Sequence, residues 1–112
     1  MSTLSSHVLD LVSGCPAVGM VVTLWRGDTI LFSGVTNEDG RCPALKEIGD
    51  MEAGSYRLEF SVGAYFKAQG VSLTEPPFLD RVPLVFGLAG GGGHYHVPLL
   101  VSPYGFSTYR GS

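Results

Sequence analysis

The sequence has little charge and none of the features that would hold it on nucleic acid or in a membrane. Charged residues make up 15% of the 112-residue chain, whereas a typical soluble domain contains about 25%. The seven Lys and Arg residues are scattered and the net charge is −3, so there is no basic patch of the nucleic-acid-binding kind. No apolar run approaches the ~20 residues of a membrane span. We therefore expect neither a nucleic-acid nor a membrane partner.

Cysteine is also scarce. Cys15 and Cys42 are the only two cysteines, which is too few for a disulfide scaffold, and their spacing is not that of a metal motif. The first residues, Met1–Leu4, lack the basic flank and the apolar stretch of a signal peptide. We therefore expect free thiols in a reducing cytoplasmic environment, and neither a metal nor a cofactor.

Apolar residues, by contrast, are abundant for so small a chain. They make up 45% of the sequence, and a length of 112 residues fits one domain over residues 1–112. A small domain has much surface for its volume, so low charge predicts that apolar surface is either exposed or covered by copies of the same chain. Self-assembly is therefore expected.

Turn-forming residues divide the chain into short segments. There are 16 Gly and 7 Pro, and the segments between them are rich in Val, Leu, Phe, Tyr and Thr, which is typical of an all-β sandwich or barrel. The predicted strands are Ser5–Val12, Met20–Arg26, Ile30–Thr36, Gly54–Val62, Val82–Phe86, His94–Ser102 and Gly105–Arg110, with an eighth near Arg41–Leu45. One short helix is predicted over Ala64–Gln69, ended by Gly70.

The three histidines fall on predicted strands. Strand alternation places His94 and His96 on one face together with Pro98 and Leu100, while the residues between them look like core. Because that outer face is otherwise apolar, it is a predicted interface.

Three strand faces would bring polar groups together if they formed one surface. His7, beside Leu9 on the first strand, would then meet His96 and Tyr109. Arg41 follows an Asp-Gly turn that could present it at the rim. Plainer interpretations stay open, because His94 is equally well a structural histidine, and Arg41 or Tyr109 alone would be an ordinary surface residue. A zinc site built from the histidines is disfavoured because no carboxylate or thiolate lies at a short ligand spacing.

Several segments resemble one enzyme family. They are Leu4–Asp10, Gly14–Ala17, Thr36–Arg41, Tyr65–Lys67, His94–Leu100, Ser102–Tyr104 and the terminal Ser107–Ser112. Together they are similar to the 5-hydroxyisourate hydrolases of the transthyretin-related family. The final Tyr109–Ser112 is the most specific part, because it separates these hydrolases from the hormone-binding transthyretins.

The resemblance implies a transthyretin-like sandwich of two four-stranded sheets with one short helix. It also implies a homotetramer, a dimer of dimers, with active sites in the channel between the dimers. The catalytic positions it implies are His7, His96, Arg41 and Ser112, and the substrate-binding positions are His7, Arg41 and Tyr109. Ser112 would act through its hydroxyl or its carboxylate.

The implied reaction is hydrolysis of 5-hydroxyisourate to 2-oxo-4-hydroxy-4-carboxy-5-ureidoimidazoline, in urate degradation towards allantoin. Water would attack a ring amide carbonyl, and histidine suits a general base near neutral pH. Whether His7 or His96 is that base stays open. The alternatives are a transthyretin-like binding protein with a small molecule in its central channel, and a structural oligomer without a ligand. The histidines and Arg41 argue against both.

Overall fold

The computed structural model describes residues 2–49 and 51–111. Its strands are β1 Ser2–Asp10, β2 Cys15–Pro16, β3 Val21–Arg26, β4 Thr29–Val35, β5 Gly54–Ser61, β6 Arg81–Leu88, β7 Gly93–Ser102 and β8 Gly105–Thr108. The described residues also form an α-helix, α1, over Val62–Ala68, and a 3₁₀ helix over Pro43–Ile48. No helix within the described ranges is long and apolar enough to cross a membrane.

The strands form two four-stranded sheets, which confirms the predicted fold class. Sheet A has the order β2-β1-β7-β8, and sheet B has the order β4-β3-β5-β6. In sheet A, β1 and β7 run parallel, from Ser2 beside Gly93 to Asp10 beside Val101. All the other strand pairs are antiparallel. This parallel pair lies at the centre of sheet A and determines what stands on its outer face.

Alternating side chains from the two sheets form the core. On β5, Tyr56, Leu58 and Phe60 are buried while Arg57 and Glu59 lie on the other face, as the alternation predicts. The buried residues of β1 and β7 that join them are Leu4, Val8, Tyr95, Val97, Leu99 and Val101. Burying this apolar area provides most of the free energy that holds the two sheets together.

The first strand ends two residues earlier than predicted, at Asp10 and not at Val12. The buried Asp10 carboxylate accepts hydrogen bonds from the backbone N–H of Val12 at 2.8 Å and of Ser13 at 3.1 Å. It also accepts one from the Tyr65 hydroxyl at 2.7 Å. The Asp10 side chain thus stabilises a turn, and the turn competes locally with further strand pairing.

The eighth strand was predicted in the wrong place. Residues near Arg41–Leu45 form no strand, because Pro43 starts the 3₁₀ helix and has no N–H to give to a sheet. The eighth strand is instead β2, Cys15–Pro16, which pairs with Leu9 and Asp10. Gly14, at φ +74°, lets the chain turn back tightly enough for this pairing.

The short helix is confirmed, although it begins earlier than predicted. Its end is closed by Gly70, whose N–H donates to the Lys67 carbonyl at 3.1 Å, and by Val71, whose N–H donates to the Phe66 carbonyl at 3.0 Å. With Gly70 at φ +80°, this is the Schellman arrangement. Strand β6 is longer than predicted and contains Pro83, which an edge strand tolerates.

Candidate active site

The outer face of sheet A carries all three histidines. Because β1 and β7 are parallel, Ser5 lies beside His96 and His7 lies beside Pro98, on the same face. His7 and His96 are half-buried, and His94 is exposed. The structure thus brings the predicted histidines together on adjacent strands.

Hydroxyl groups of β1 bond to the histidines of β7. The Ser5 Oγ lies 2.8 Å from His94 Nε2 and 2.7 Å from His96 Nδ1. The Thr3 Oγ1 lies 2.7 Å from His94 Nδ1. A hydrogen-bonded chain therefore runs across the strands from Thr3 to His96.

Arg41 is brought to this face by a turn that lies against β1. Gly40 accepts a hydrogen bond from the Val8 N–H at 2.8 Å, and Arg41 forms a bridge with His7. A Cβ at Gly40 would come within 2.5 Å of the Val8 carbonyl oxygen, and its φ is +72°. Only glycine therefore lets Arg41 approach His7 this closely.

The C-terminal segment continues past β8 along β7. The Gly111 N–H donates to the His96 carbonyl at 2.7 Å, and a Cβ on Gly111 would lie 2.5 Å from His96 Cδ2. Glycine therefore packs directly on the histidine ring. The bridge from His96 to Gly111 keeps the register of the β7–β8 pairs, which places Tyr109 opposite Pro98 on the histidine face.

The residues of the terminal tetrapeptide have different places. Tyr109 is 61% exposed, so its ring and hydroxyl are accessible. The Arg110 guanidinium stacks 4.1 Å from the Tyr95 ring centre and so fastens the segment to β7. Ser112, which the sequence predicts as catalytic, lies outside the described residues.

Among the residues that the structure describes, the charges that act on His96 are all positive. Burial, first, and then the positive charges of Arg41, His7, His94 and Lys46 lower the pKa of His96 below its usual value. Each of these favours the neutral imidazole at neutral pH. Lys46, on the 3₁₀ helix, was not predicted from the sequence as a site residue.

A groove beside the histidines is small in one chain. Its volume is about 180 Å³, and its walls include Ser5, Arg41 and Lys46. A larger cavity, about 490 Å³, lies between α1 and the segment before β6, and its walls include Lys67 and Asp80 but no histidine. We therefore assign the candidate site from the side chains that could take part in a reaction, and not from the volume of a cavity.

The predicted apolar outer face is only partly exposed. Leu9 and Leu100 are half-buried there, and Pro98 is buried, contrary to expectation. In the strand registers Pro98 lies between His7 on β1 and Tyr109, which follows β8. The remaining exposed apolar residues lie mostly on loops and edge strands.

Metal-binding geometry is absent from the described ranges. Residues 2–49 and 51–111 contain no group of three or more His, Cys, Asp or Glu that could hold a metal ion. The zinc alternative therefore has no ligand set in that part of the chain. Cys15 and Cys42 are both free thiols, as expected.

Sequence reasoning missed Thr3, Ser5 and Lys46. The first two alternate with His7 along β1, so all three share a face. That signal was present, but its meaning depended on the parallel pairing of β1 with β7, which places Ser5 between two imidazoles.

Comparison with known proteins identifies the family. The model of the HIUase/Transthyretin family matches residues 4–111. The chain belongs to this family.

Relatives within the HIUase/Transthyretin family include both enzymes and transthyretins. A 5-hydroxyisourate hydrolase of Ralstonia nicotianae is 50% identical over 117 residues, covering 100% of both chains. The structure of Klebsiella pneumoniae 5-hydroxyisourate hydrolase is similar with a TM-score of 0.87 and 39% identity, covering 100% of this chain and 94% of that one. Sea bream transthyretin in complex with thyroxine has a TM-score of 0.83 and 32% identity, covering 96% and 92%.

Proposed function

We propose that this chain hydrolyses 5-hydroxyisourate to 2-oxo-4-hydroxy-4-carboxy-5-ureidoimidazoline by opening the six-membered ring. The observation that carries the proposal is the grouping of His7, His96 and Arg41 on one face, in a chain half identical to a 5-hydroxyisourate hydrolase. Imidazole and guanidinium groups suit proton transfer and oxyanion stabilisation respectively.

The reaction needs a base, an oxyanion stabiliser and an acid. One imidazole, of His7 or His96, takes a proton from water while the water oxygen attacks the ring carbonyl carbon. The carbonyl electrons move to oxygen, and the Arg41 guanidinium stabilises that oxyanion. The tetrahedral intermediate then collapses, the C–N bond breaks, and the departing nitrogen takes the proton from the imidazolium.

The other predicted site residues position the substrate. Tyr109 is accessible beside Pro98 and contacts the purine-derived ring in this proposal, while Arg41 binds its oxygens. Ser112 orients the water or a histidine. Removing one such electrostatic donor lowers the rate by about 100–1,000-fold in comparable sites.

The proposed assembly is a homotetramer, a dimer of dimers, with sites in the channel between the dimers. Its support is the apolar surface that one chain leaves uncovered. Exposed residues on the β1–β3 connection include Leu11, Val12 and Val18, and exposed residues on the edge strands include Val85 and Phe106. The small, open groove beside the histidines would be completed by a second chain. We also propose a cytoplasmic location.

Freshly made 5-hydroxyisourate in ¹⁸O-labelled water tests this function. We expect the protein to accelerate loss of the substrate's ultraviolet absorbance and to place one ¹⁸O in the ring-opened product, because water is the nucleophile. An unchanged decay rate would overturn the proposal. Saturable binding of the compound without faster decay would instead favour the transthyretin-like binding protein.

A further inference from the structure

A hydrogen-bonded series of four side chains links the exposed His94, near the start of β7, to the half-buried His96. Thr3 Oγ1 contacts His94 Nδ1 at 2.7 Å, His94 Nε2 contacts Ser5 Oγ at 2.8 Å, and Ser5 Oγ contacts His96 Nδ1 at 2.7 Å. Both ring nitrogens of His94 are thus engaged although the residue is exposed. An exposed histidine held at both nitrogens has an unusually well-defined orientation.

The number of available protons restricts this series of hydrogen bonds, from Thr3 to His96, to two arrangements. The Ser5 hydroxyl has one proton, so it donates to one imidazole and accepts from the other. If it donates to His94 Nε2, then His96 carries its proton on Nδ1 and His94 carries its own on Nδ1. If it donates to His96 Nδ1, then His96 carries its proton on Nε2. The direction of one hydroxyl therefore decides which nitrogen of His96 is available as a base.

We propose that His94, acting through Ser5, holds His96 in the tautomer with its proton on Nδ1, so that the Nε2 lone pair is free to accept the proton of the attacking water. This inference rests on the proposed hydrolysis and assigns the base to His96. His94 is a positioning residue, since it touches His96 only through the Ser5 hydroxyl.

Other contacts of the His96 ring agree with its proposed role as the base. Gly111 packs against His96 Cδ2, which limits rotation of the ring. Within the described residues, His96 Nε2 has no hydrogen-bond partner, whereas Nδ1 has Ser5. The lowered pKa of His96 also keeps the ring neutral, which a tautomer preference requires.

The proton balance of the step is simple. Before attack, Nδ1 of His96 donates to Ser5, Ser5 donates to His94 Nε2, and His94 Nδ1 donates to Thr3. When Nε2 takes the water proton, His96 becomes an imidazolium and still donates through Nδ1, so no other bond in the chain has to change. The same proton then leaves from Nε2 to the departing nitrogen.

Nitrogen-15 NMR of the histidine rings at one fixed pH near 8 tests the tautomer without any substrate. In the wild-type protein we expect His96 to have a protonated Nδ1 and an unprotonated Nε2. His94→Ala and Ser5→Ala should remove this preference. His94→Gln should keep it, because a glutamine amide oxygen can accept the Ser5 hydroxyl as His94 Nε2 does.

Steady-state kinetics give the second readout. His94→Ala should lower kcat by about 10–100-fold, as loss of partners that orient a functional histidine does, with little change in KM. His94→Gln should recover most of that loss. A matched control is Ser6→Ala, which removes a buried hydroxyl that donates to the Val97 carbonyl at 2.7 Å between the same two strands. It should lower stability but leave the His96 ring shifts unchanged.

Opposite results overturn the inference. A wild-type His96 protonated on Nε2 would contradict it, as would a His94→Ala protein with wild-type ring shifts and kcat, or a His94→Gln protein as impaired as His94→Ala. Wild-type protein that opens no substrate would instead defeat the proposed function, while the ring shifts would still report on the hydrogen-bonded chain.

Discussion

The outer faces of the two sheets differ in how their charged side chains are paired. On sheet B, Glu59 lies 3.6 Å from Arg57 and 3.8 Å from Arg81, and Arg57 stacks 5.0 Å from the Trp25 ring centre. On sheet A, the groups that act on His96 are histidines, an arginine and a lysine, and no carboxylate is among them.

This difference separates a solvated surface from a candidate active site. Paired charges on an exposed sheet offset one another and contribute little to stability. Unpaired positive charges around a half-buried imidazole keep that imidazole neutral and leave donors free for substrate oxygens. Within residues 2–49 and 51–111, no carboxylate acts on His96, an arrangement that suits a ligand which itself supplies negative charge.

Histidine substitutions on sheet A should have the largest effect. His96→Ala and His7→Ala should each remove most turnover of 5-hydroxyisourate, because the proposed proton transfers are worth about 100–10,000-fold. The proposed tetramer should survive both changes. Initial rates and the elution volume of each variant check this. Full activity in either variant would contradict the assignment of this face.

The C-terminal segment should come next. Deleting Tyr109–Ser112 should be about as damaging as losing a histidine, because it removes the Gly111 pairing and the Tyr109 side chain together. Gly111→Ala should lower kcat less, by crowding the His96 ring without removing it. Circular dichroism shows whether the sandwich stays folded. Wild-type kcat in both proteins would mean that the segment has no part in catalysis.

Gly40→Ala tests how the Arg41 turn is held against β1. The new Cβ would meet the Val8 carbonyl oxygen at 2.5 Å, at a backbone φ of +72°, so we expect lower stability by at least about 1 kcal/mol and a higher KM as Arg41 moves away. Gly27→Ala is the matched control, since it has φ +58° but nothing within 4 Å. It should lower stability without changing KM.

Smaller shifts should follow from changes of charge near His96. Removing a neighbouring positive charge raises the His96 pKa towards its usual value, so more of the ring is protonated at a given acidic pH. The acid limb of kcat/KM should therefore move to higher pH in Lys46→Met, and further in Arg41→Met, because Arg41 contributes more. Lys67→Met, on α1, is the control. An acid limb shared by all four proteins would contradict the electrostatic account.

On sheet B the effect should be smallest. Glu59→Gln breaks both ion pairs, yet it should change the free energy of unfolding by about 1 kcal/mol or less and leave the rate of hydrolysis unchanged. Thermal unfolding and the same rate assay check this. A rate loss comparable with that of the histidine variants would erase the distinction between the two faces.

The inner faces could be predicted from the sequence, because alternation along a strand is a local property. On β5 the alternation puts Tyr56, Leu58 and Phe60 on one face, and all three are buried. The ends of elements could not be predicted so well, since the Asp10 side chain competes with strand pairing. Likewise, Pro43 starts a 3₁₀ helix where a strand was expected.

The outer face of sheet A depends on pairings between distant parts of the chain. His7 and His96 could be placed on outer faces. The parallel pairing that sets Ser5 between His94 and His96 could not, because neither strand's own sequence indicates its partner. The same holds for Gly111, whose lack of a side chain matters only because the His96 ring lies against it. The face on which these residues lie could be predicted from the sequence, but their contacts with distant residues could not.

The low charge of the sequence and the small groove on sheet A agree with one central claim, that a second chain completes the proposed active site. The most direct test separates oligomers by size-exclusion chromatography with light scattering and assays each fraction at once with freshly made 5-hydroxyisourate. Hydrolysis should coincide with the four-chain species and be absent from any single-chain fraction. An active monomer, or a tetramer that leaves the spontaneous decay unchanged, would contradict the claim.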